Sequence, residues 1–226
     1  MLDFGKKILV VAAHPDDEVL GAGGTIAKLK NQGCEVHALI VTDGSSTQYA
    51  GNEETLKAKH VEADAAAAIL KIDRIIQWDF PDMRLDSVDH VDINKKLETL
   101  LFAEKYDTVF SQEFGDINMD HRIVYQSISV AVRPYPFQSV KNFLTYYVNS
   151  SSEWGVVLNT EGFKPNIFVD IEDSIELKID SMSQYKSELR KYPHPRSLEA
   201  IRISAQYFGN MAGFRFAEPF RLVFSR

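Results

Sequence analysis

The run Ala12-Ala13-His14-Pro15-Asp16-Asp17-Glu18 sets a histidine and adjacent carboxylates directly after the apolar stretch Ile8-Leu9-Val10-Val11. That stretch reads as a buried first strand, so the polar run falls at the strand's carboxyl end, where open α/β sheets bind their ligands. A histidine nitrogen and a carboxylate oxygen three residues apart can share one metal ion, and the carboxylate between them stays free to move protons. Metal-assisted hydrolysis is the chemistry this spacing suits. Part of the pattern has a purely structural explanation: Pro15 fits the first position of a helix, and acids in a first turn favour the positive end of its dipole. That explanation leaves the histidine unaccounted for, and with it the use of Asp in place of the better helix former Glu at two positions.

A second segment, Gly115-Asp116-Ile117-Asn118-Met119-Asp120-His121-Arg122, follows another short apolar strand around Val109 and opens the next helix. Taken alone, Asp120 could be an N-cap and His121 a surface residue. Two such segments after strands of one sheet point to a shared site. A metal-ligating imidazole commonly donates its second N–H to a carboxylate, and Asp120 is a candidate for that role.

The elements that must carry these segments alternate along the chain. Strands are predicted over 7–13, 35–42, 74–78 and 108–110, with helices over 15–32, 53–70, 89–104 and 120–132. Gly33 is placed to end the first helix. This order predicts a Rossmann-like α/β fold: a mostly parallel sheet with helices on both faces. In the last third, strands near 143–148, 166–171 and 220–224 bracket helical stretches near 173–190 and 197–212, so some late strands are expected to run antiparallel. Tyr185 and Leu189, and likewise Ile201, Ala205 and Phe208, have helical spacing and are expected to pack inward. No repeat or linker divides residues 1–226, which read as a single domain.

Together the two segments resemble the PIG-L/LmbE-like family of zinc-dependent N-deacetylases. The resemblance is carried by Ala13-His14-Pro15-Asp16-Asp17-Glu18, by Asp120-His121, by the glycine-rich Gly21-Ala22-Gly23-Gly24-Thr25 and by the turn Val41-Thr42-Asp43-Gly44. It implies that His14, Asp17 and His121 ligate one zinc ion and that Asp16 is the general base. Fe(II) shares such donor sets, so the ion is open between them. The implied reaction removes the acetyl group of an N-acetylated amino sugar or its conjugate. Where the family carries a histidine three residues before its last ligand, this chain has Asn118. An amide donates a hydrogen bond but shuttles no proton near neutral pH.

Tyr192-Pro193-His194-Pro195-Arg196-Ser197 offers a candidate replacement, because two prolines hold it extended: Asn118 or His194 could help hold the oxyanion, and Asp16 or His194 could protonate the departing amine. The same segment could equally be a rigid connection. Weaker substrate-binding candidates are Arg84, Trp154 and Arg196. Arg84 could hold a hydroxyl or phosphate and Trp154 could stack on a sugar face, although an arginine often forms a surface ion pair and a tryptophan often anchors a core. His37, His60 and His90 read as structural.

A formal charge of −7 argues against a nucleic-acid surface, which draws on clustered Lys and Arg. With 45% apolar residues the chain can bury a sizeable core, and no stretch approaches the roughly 18 apolar residues of a membrane span. Residues 1–7 lack the apolar core of a signal peptide, and the lone Cys34 forms no intrachain disulfide, so a cytoplasmic protein is expected. Small molecules are the expected partners, and oligomeric state is open. The glycines after the first strand raise a dinucleotide site as a rival, but the strand-to-helix turn is filled by carboxylates that would repel a pyrophosphate. They are expected to let the helix pack closely instead. A metal amidase acting on a thiol or amino-acid conjugate is the alternative enzyme. A nucleotide- or sugar-binding module on the same fold is the non-enzymatic one.

Overall fold

The computed structural model describes residues 2–44, 53–158 and 162–226. Among these, seven strands form one sheet in the order β3-β2-β1-β4-β5-β7-β6. The strands are β1 (Lys7–Ala12), β2 (Glu35–Thr42), β3 (Arg74–Phe80), β4 (Thr108–Gln112), β5 (Asn142–Tyr146), β6 (Ile167–Asp170) and β7 (Ala217–Ser225). The first five pair in parallel; β7 runs antiparallel to both β5 and β6. The Rossmann-like α/β sheet with late antiparallel strands is therefore the one its sequence pattern predicts.

β1 and β2 are nearly continuous apolar runs because both of their faces are covered. Ile8, Val10 and Ala12 pack under α1 (Asp17–Asn31), α2 (Glu53–Leu70), α5 (Ile175–Met182) and α6 (Leu198–Ala212). Leu9, Val11 and Ala13 point the other way, into the layer of α3 (His90–Glu104) and α4 (Met119–Ala131). The chain moves outward from β1 to β3 and then returns to β4, which pairs with β1 on its free side. The strand order thus reverses between β1 and β4, and the crevice beyond their carboxyl ends is the topological switch point.

Two glycines make that crevice compact. A side chain at Gly21 would collide with the Tyr146 ring on β5, its Cβ falling 2.1 Å from Cδ2, so this residue lets α1 lie against the sheet. Gly44 has φ +70° and sits against the Pro15 ring, bringing the turn after β2 next to the turn after β1. The glycine-rich stretch therefore serves close packing, as the sequence suggests.

One element ends sooner than its pattern predicts. The apolar spacing of Tyr185 and Leu189 suggests helix to residue 190, but α5 stops at Met182. Ser183 turns its hydroxyl back onto the Asp180 carbonyl, a local bond that competes with helix continuation. The following turns carry Tyr185, Glu188 and Arg196 toward the crevice. Tyr185 is buried as expected, and so are Ile201, Ala205 and Phe208. Cys34 is a buried free thiol, and His37 is fixed in β2 by the Tyr106 hydroxyl at 2.8 Å. No helix among the described residues is long and apolar enough to cross a membrane.

Candidate metal centre and catalytic cavity

His14 leaves the end of β1, Asp17 opens α1 and His121 lies in the first turn of α4, so the switch point brings the two segments together. His14 Nδ1, Asp17 Oδ2 and His121 Nε2 form a triangle with each side 3.3 Å. Ligand atoms about 2.0–2.1 Å from a tetrahedral zinc stand about 3.3–3.4 Å apart, so the triangle matches one face of such a site. The donor set of two imidazoles and a carboxylate suits a borderline divalent ion.

The outer nitrogens also face carboxylates. His14 Nε2 is hydrogen-bonded to Asp120 Oδ2 at 3.1 Å, and His121 Nδ1 stands 3.1 Å from Asp116 Oδ2 in an ion-pair contact that lacks hydrogen-bond geometry. Asp120 is itself fixed by the Leu85 N–H at 3.0 Å. Asp116 accepts the hydroxyls of Ser151 and Ser152 and the backbone N–H of Asn118. Gln112, at the end of β4, donates its amide to Asp17 Oδ2 at 3.0 Å. Each inner side chain thus has a buried partner that sets its orientation, the arrangement metal sites commonly use.

Charge follows this geometry. Burial opposes the charged form of both histidines, yet Asp120 and Asp17 hold His14 well above the usual imidazole range, and Asp17 and Asp116 lift His121 to about 9. Burial would likewise raise Asp17, but the neighbouring histidines keep it well below the usual carboxylate range. Asp16 goes the other way. Burial, then the negative charge of Asp17, pushes it well above the ordinary value. Its Oδ2 is buried without a hydrogen-bond partner, and its backbone sits at φ +109°, a conformation costly for any residue but glycine. Strain of this kind persists where surrounding structure imposes it, and Asp16 lines the same cavity as the three residues of the triangle. Glu18 points away, under the Tyr185 hydroxyl, with its carboxyl lifted by burial to about 7.

All of this opens on a cavity of about 460 Å³ whose lining includes His14, Asp16, Asp17 and His121. Asn118 also lines it, with its Oδ1 committed to the Asp120 N–H as the cap of α4 and its amide nitrogen 3.7 Å from Met83 Sδ. Arg196 lines it too, 3.6 Å from Asp16 Oδ2.

Three expected contributors are placed elsewhere. His194 is not among the described lining residues, and its Nδ1 accepts the Arg196 backbone N–H at 3.1 Å, which makes it part of the turn that presents Arg196. Arg84 is exposed and off the cavity; its neighbours Asp82 and Met83 reach the wall instead. Trp154 sits in a 3-10 turn (Ser152–Leu158), is 56% exposed and lies outside the lining. In return, the structure adds residues that the sequence reading assigned no role: Asp116, Gln112, Asp82, Lys59 and Glu188. The first two carried a signal, being polar residues at the end of a buried strand or within the second motif. The others come from distant segments with no motif of their own.

Comparison with known proteins gives the family. Residues 9–132 match the family model PIG-L, GlcNAc-PI de-N-acetylase. The diacetylchitobiose deacetylase of Thermococcus kodakarensis is 30% identical over 96% of this chain and 83% of its own length. Among solved structures, the conserved protein TT1542 of Thermus thermophilus superposes with a TM-score of 0.79 at 27% identity, covering 97% of this chain and 95% of that one. The N,N'-diacetylchitobiose deacetylase of Pyrococcus horikoshii, bound to its inhibitor MPG, superposes with a TM-score of 0.76 at 26% identity, covering 96% and 84%. With more than half of its length matched by the family model and both motifs converging at one crevice, the chain belongs to the PIG-L family of de-N-acetylases.

Proposed function

We propose that this chain is a zinc-dependent hydrolase that removes the N-acetyl group from an N-acetylated amino sugar or its conjugate, releasing acetate and the free amine. One observation carries the reading: the 3.3 Å triangle of His14, Asp17 and His121 shares its cavity with Asp16, whose buried Oδ2 accepts no hydrogen bond. The two diacetylchitobiose deacetylases named above support the substrate class.

His14, Asp17 and His121 would hold the ion, which when bound would supply Lewis acidity for the acetyl oxygen and a lowered pKa for water. Asp16 Oδ2 takes one proton from the attacking water as the water oxygen bonds to the acyl carbon and the carbonyl π pair moves onto the acetyl oxygen. Asp16 then returns the proton to the amine nitrogen as the carbon–nitrogen bond breaks. Because His194 stands off the cavity, a single carboxylate performs both transfers. The Asn118 amide lies at the cavity wall as a hydrogen-bond donor for the bound substrate.

The test is Asp16→Asn in zinc-loaded protein, assayed by acetate release from N-acetylglucosamine and chitobiose derivatives and from acylated thiol or amino-acid conjugates. Metal content is expected to stay near that of the parent while kcat falls by about 10²–10⁴. A loss of metal with no specific fall in kcat contradicts the role given to Asp16, and turnover confined to the conjugates contradicts the substrate class.

A further inference from the structure

Arg196 stands between two carboxylates in the cavity wall. Its Nη1 donates to Glu188 Oε2 at 2.7 Å and lies 3.6 Å from Asp16 Oδ2. Glu188 is secured from its other side, where Oε1 accepts the Nζ of the buried Lys59 at 2.5 Å. The chain Lys59, Glu188, Arg196, Asp16 joins α2, the turns after α5 and the turn before α1, and all four residues line the same cavity.

The separation of 3.6 Å from Asp16 is informative. It exceeds hydrogen-bond range, so Asp16 Oδ2 is left open, while a guanidinium at that distance still attracts the carboxylate. A direct bond would cap the oxygen that must carry a proton. With no cation there, Asp16 would face the charges of Asp17 and Glu18 uncompensated. The bond to Glu188 decides between these cases, because it fixes the guanidinium on the far side.

We propose that Arg196 is a positioning residue: tethered by Glu188 and Lys59, it steadies the Asp16 carboxylate toward the reacting centre without occupying it. This inference rests on the reading of Asp16 as the proton carrier, and it replaces the substrate contact that the sequence suggests for Arg196. A planar guanidinium can address two carboxylates at once, which an ammonium does poorly.

Steady-state kinetics of metal-loaded Arg196→Gln, Arg196→Lys, Glu188→Gln, the double variant Arg196→Gln/Glu188→Gln and Asp16→Asn test it. Arg196→Gln is expected to lower kcat by about tenfold to a hundredfold with KM changed less than about threefold. Arg196→Lys should recover part of that loss. Glu188→Gln should lower kcat as well, by letting Arg196 close on Asp16, and the double variant should be no worse than Arg196→Gln alone.

Two readouts do not depend on turnover. The visible spectrum of cobalt-loaded Arg196→Gln should match that of the parent, since the metal triangle is untouched. A crystal structure of Glu188→Gln should show Arg196 within hydrogen-bond distance of Asp16. The proposal is overturned if Arg196→Gln keeps kcat within about twofold, or if KM rises more than about tenfold at constant kcat, which would make Arg196 a substrate contact. A guanidinium that turns to solvent in Glu188→Gln overturns it too. Parent-like activity in Asp16→Asn removes the base reading itself, whereas an inactive Asp16→Asn beside a fully active Arg196→Gln removes only the role of Arg196.

Discussion

Asp116 Oδ2 lies 3.1 Å from His121 Nδ1, on the opposite edge of the ring from the nitrogen that faces His14 and Asp17. The nearby carboxylate favours a proton on Nδ1 by charge, which leaves Nε2 as the nitrogen that can present a lone pair to an ion. Asp116 is in turn saturated by two serine hydroxyls and a backbone N–H, so it cannot rotate away without breaking several bonds.

Asp116→Asn therefore tests the orientation of a ligand separately from its presence. An asparagine can point its amide nitrogen at His121 Nδ1, which favours the wrong tautomer. Zinc affinity, measured by competition with a chromophoric chelator, is expected to fall by about 10–100-fold while all three ligands remain. Unchanged affinity would mean that the ring is held by packing alone.

The charge on His121 makes metal binding a proton-coupled event. In the metal-free protein Asp17 and Asp116 overcome burial and lift this histidine to about 9, so at pH 7 it carries a proton that must leave before an ion can bind. Calorimetric heats of zinc binding at pH 7 should thus vary with the ionisation enthalpy of the buffer, reporting proton release. The same shift fixes a stability trend. A histidine raised from 6.5 to about 9 on folding contributes stability fully present below 6.5 and lost as pH rises through about 9. The Tm of metal-free protein should decline across that window from this contribution, and that of zinc-loaded protein should not.

These outcomes bear on how far the site was legible. His14, Asp16, Asp17 and His121 are readable because each follows a strand whose apolar run is unmistakable, and the switch-point rule then places them on one edge. Arg196 is visible only as a charge near prolines, and its relation to Glu188 depends on α5 ending at Met182, where Ser183 competes with the helix. The position of His194 was no more legible. Two flanking prolines show that a segment is extended, but not which side chain turns inward, and here the histidine ring caps the turn while the arginine enters the cavity. Asp82 and Lys59 lie on elements that packing alone brings to the wall.

The core beneath α1 holds a buried ion pair whose removal should separate stability from metal binding. Lys178 Nζ donates to the Leu20 carbonyl at 2.7 Å and to Glu218 Oε1, while Glu218 accepts the backbone N–H groups of Gly24 and Thr25 at 2.9 and 2.7 Å. Both side chains are almost fully buried, so deleting one strands the charge of the other. Glu218→Ala leaves an ammonium with a single carbonyl partner and is expected to cost about 3–5 kcal/mol in denaturant unfolding of the metal-free protein. Lys178→Met should cost less, because the remaining carboxylate keeps two N–H donors. Zinc affinity of the folded variants should shift by less than about tenfold, since Asp17 is anchored independently by Gln112 and the His14 N–H. A large loss of affinity in Glu218→Ala at temperatures where it is folded would show that the pair, and not those two bonds, sets the position of Asp17.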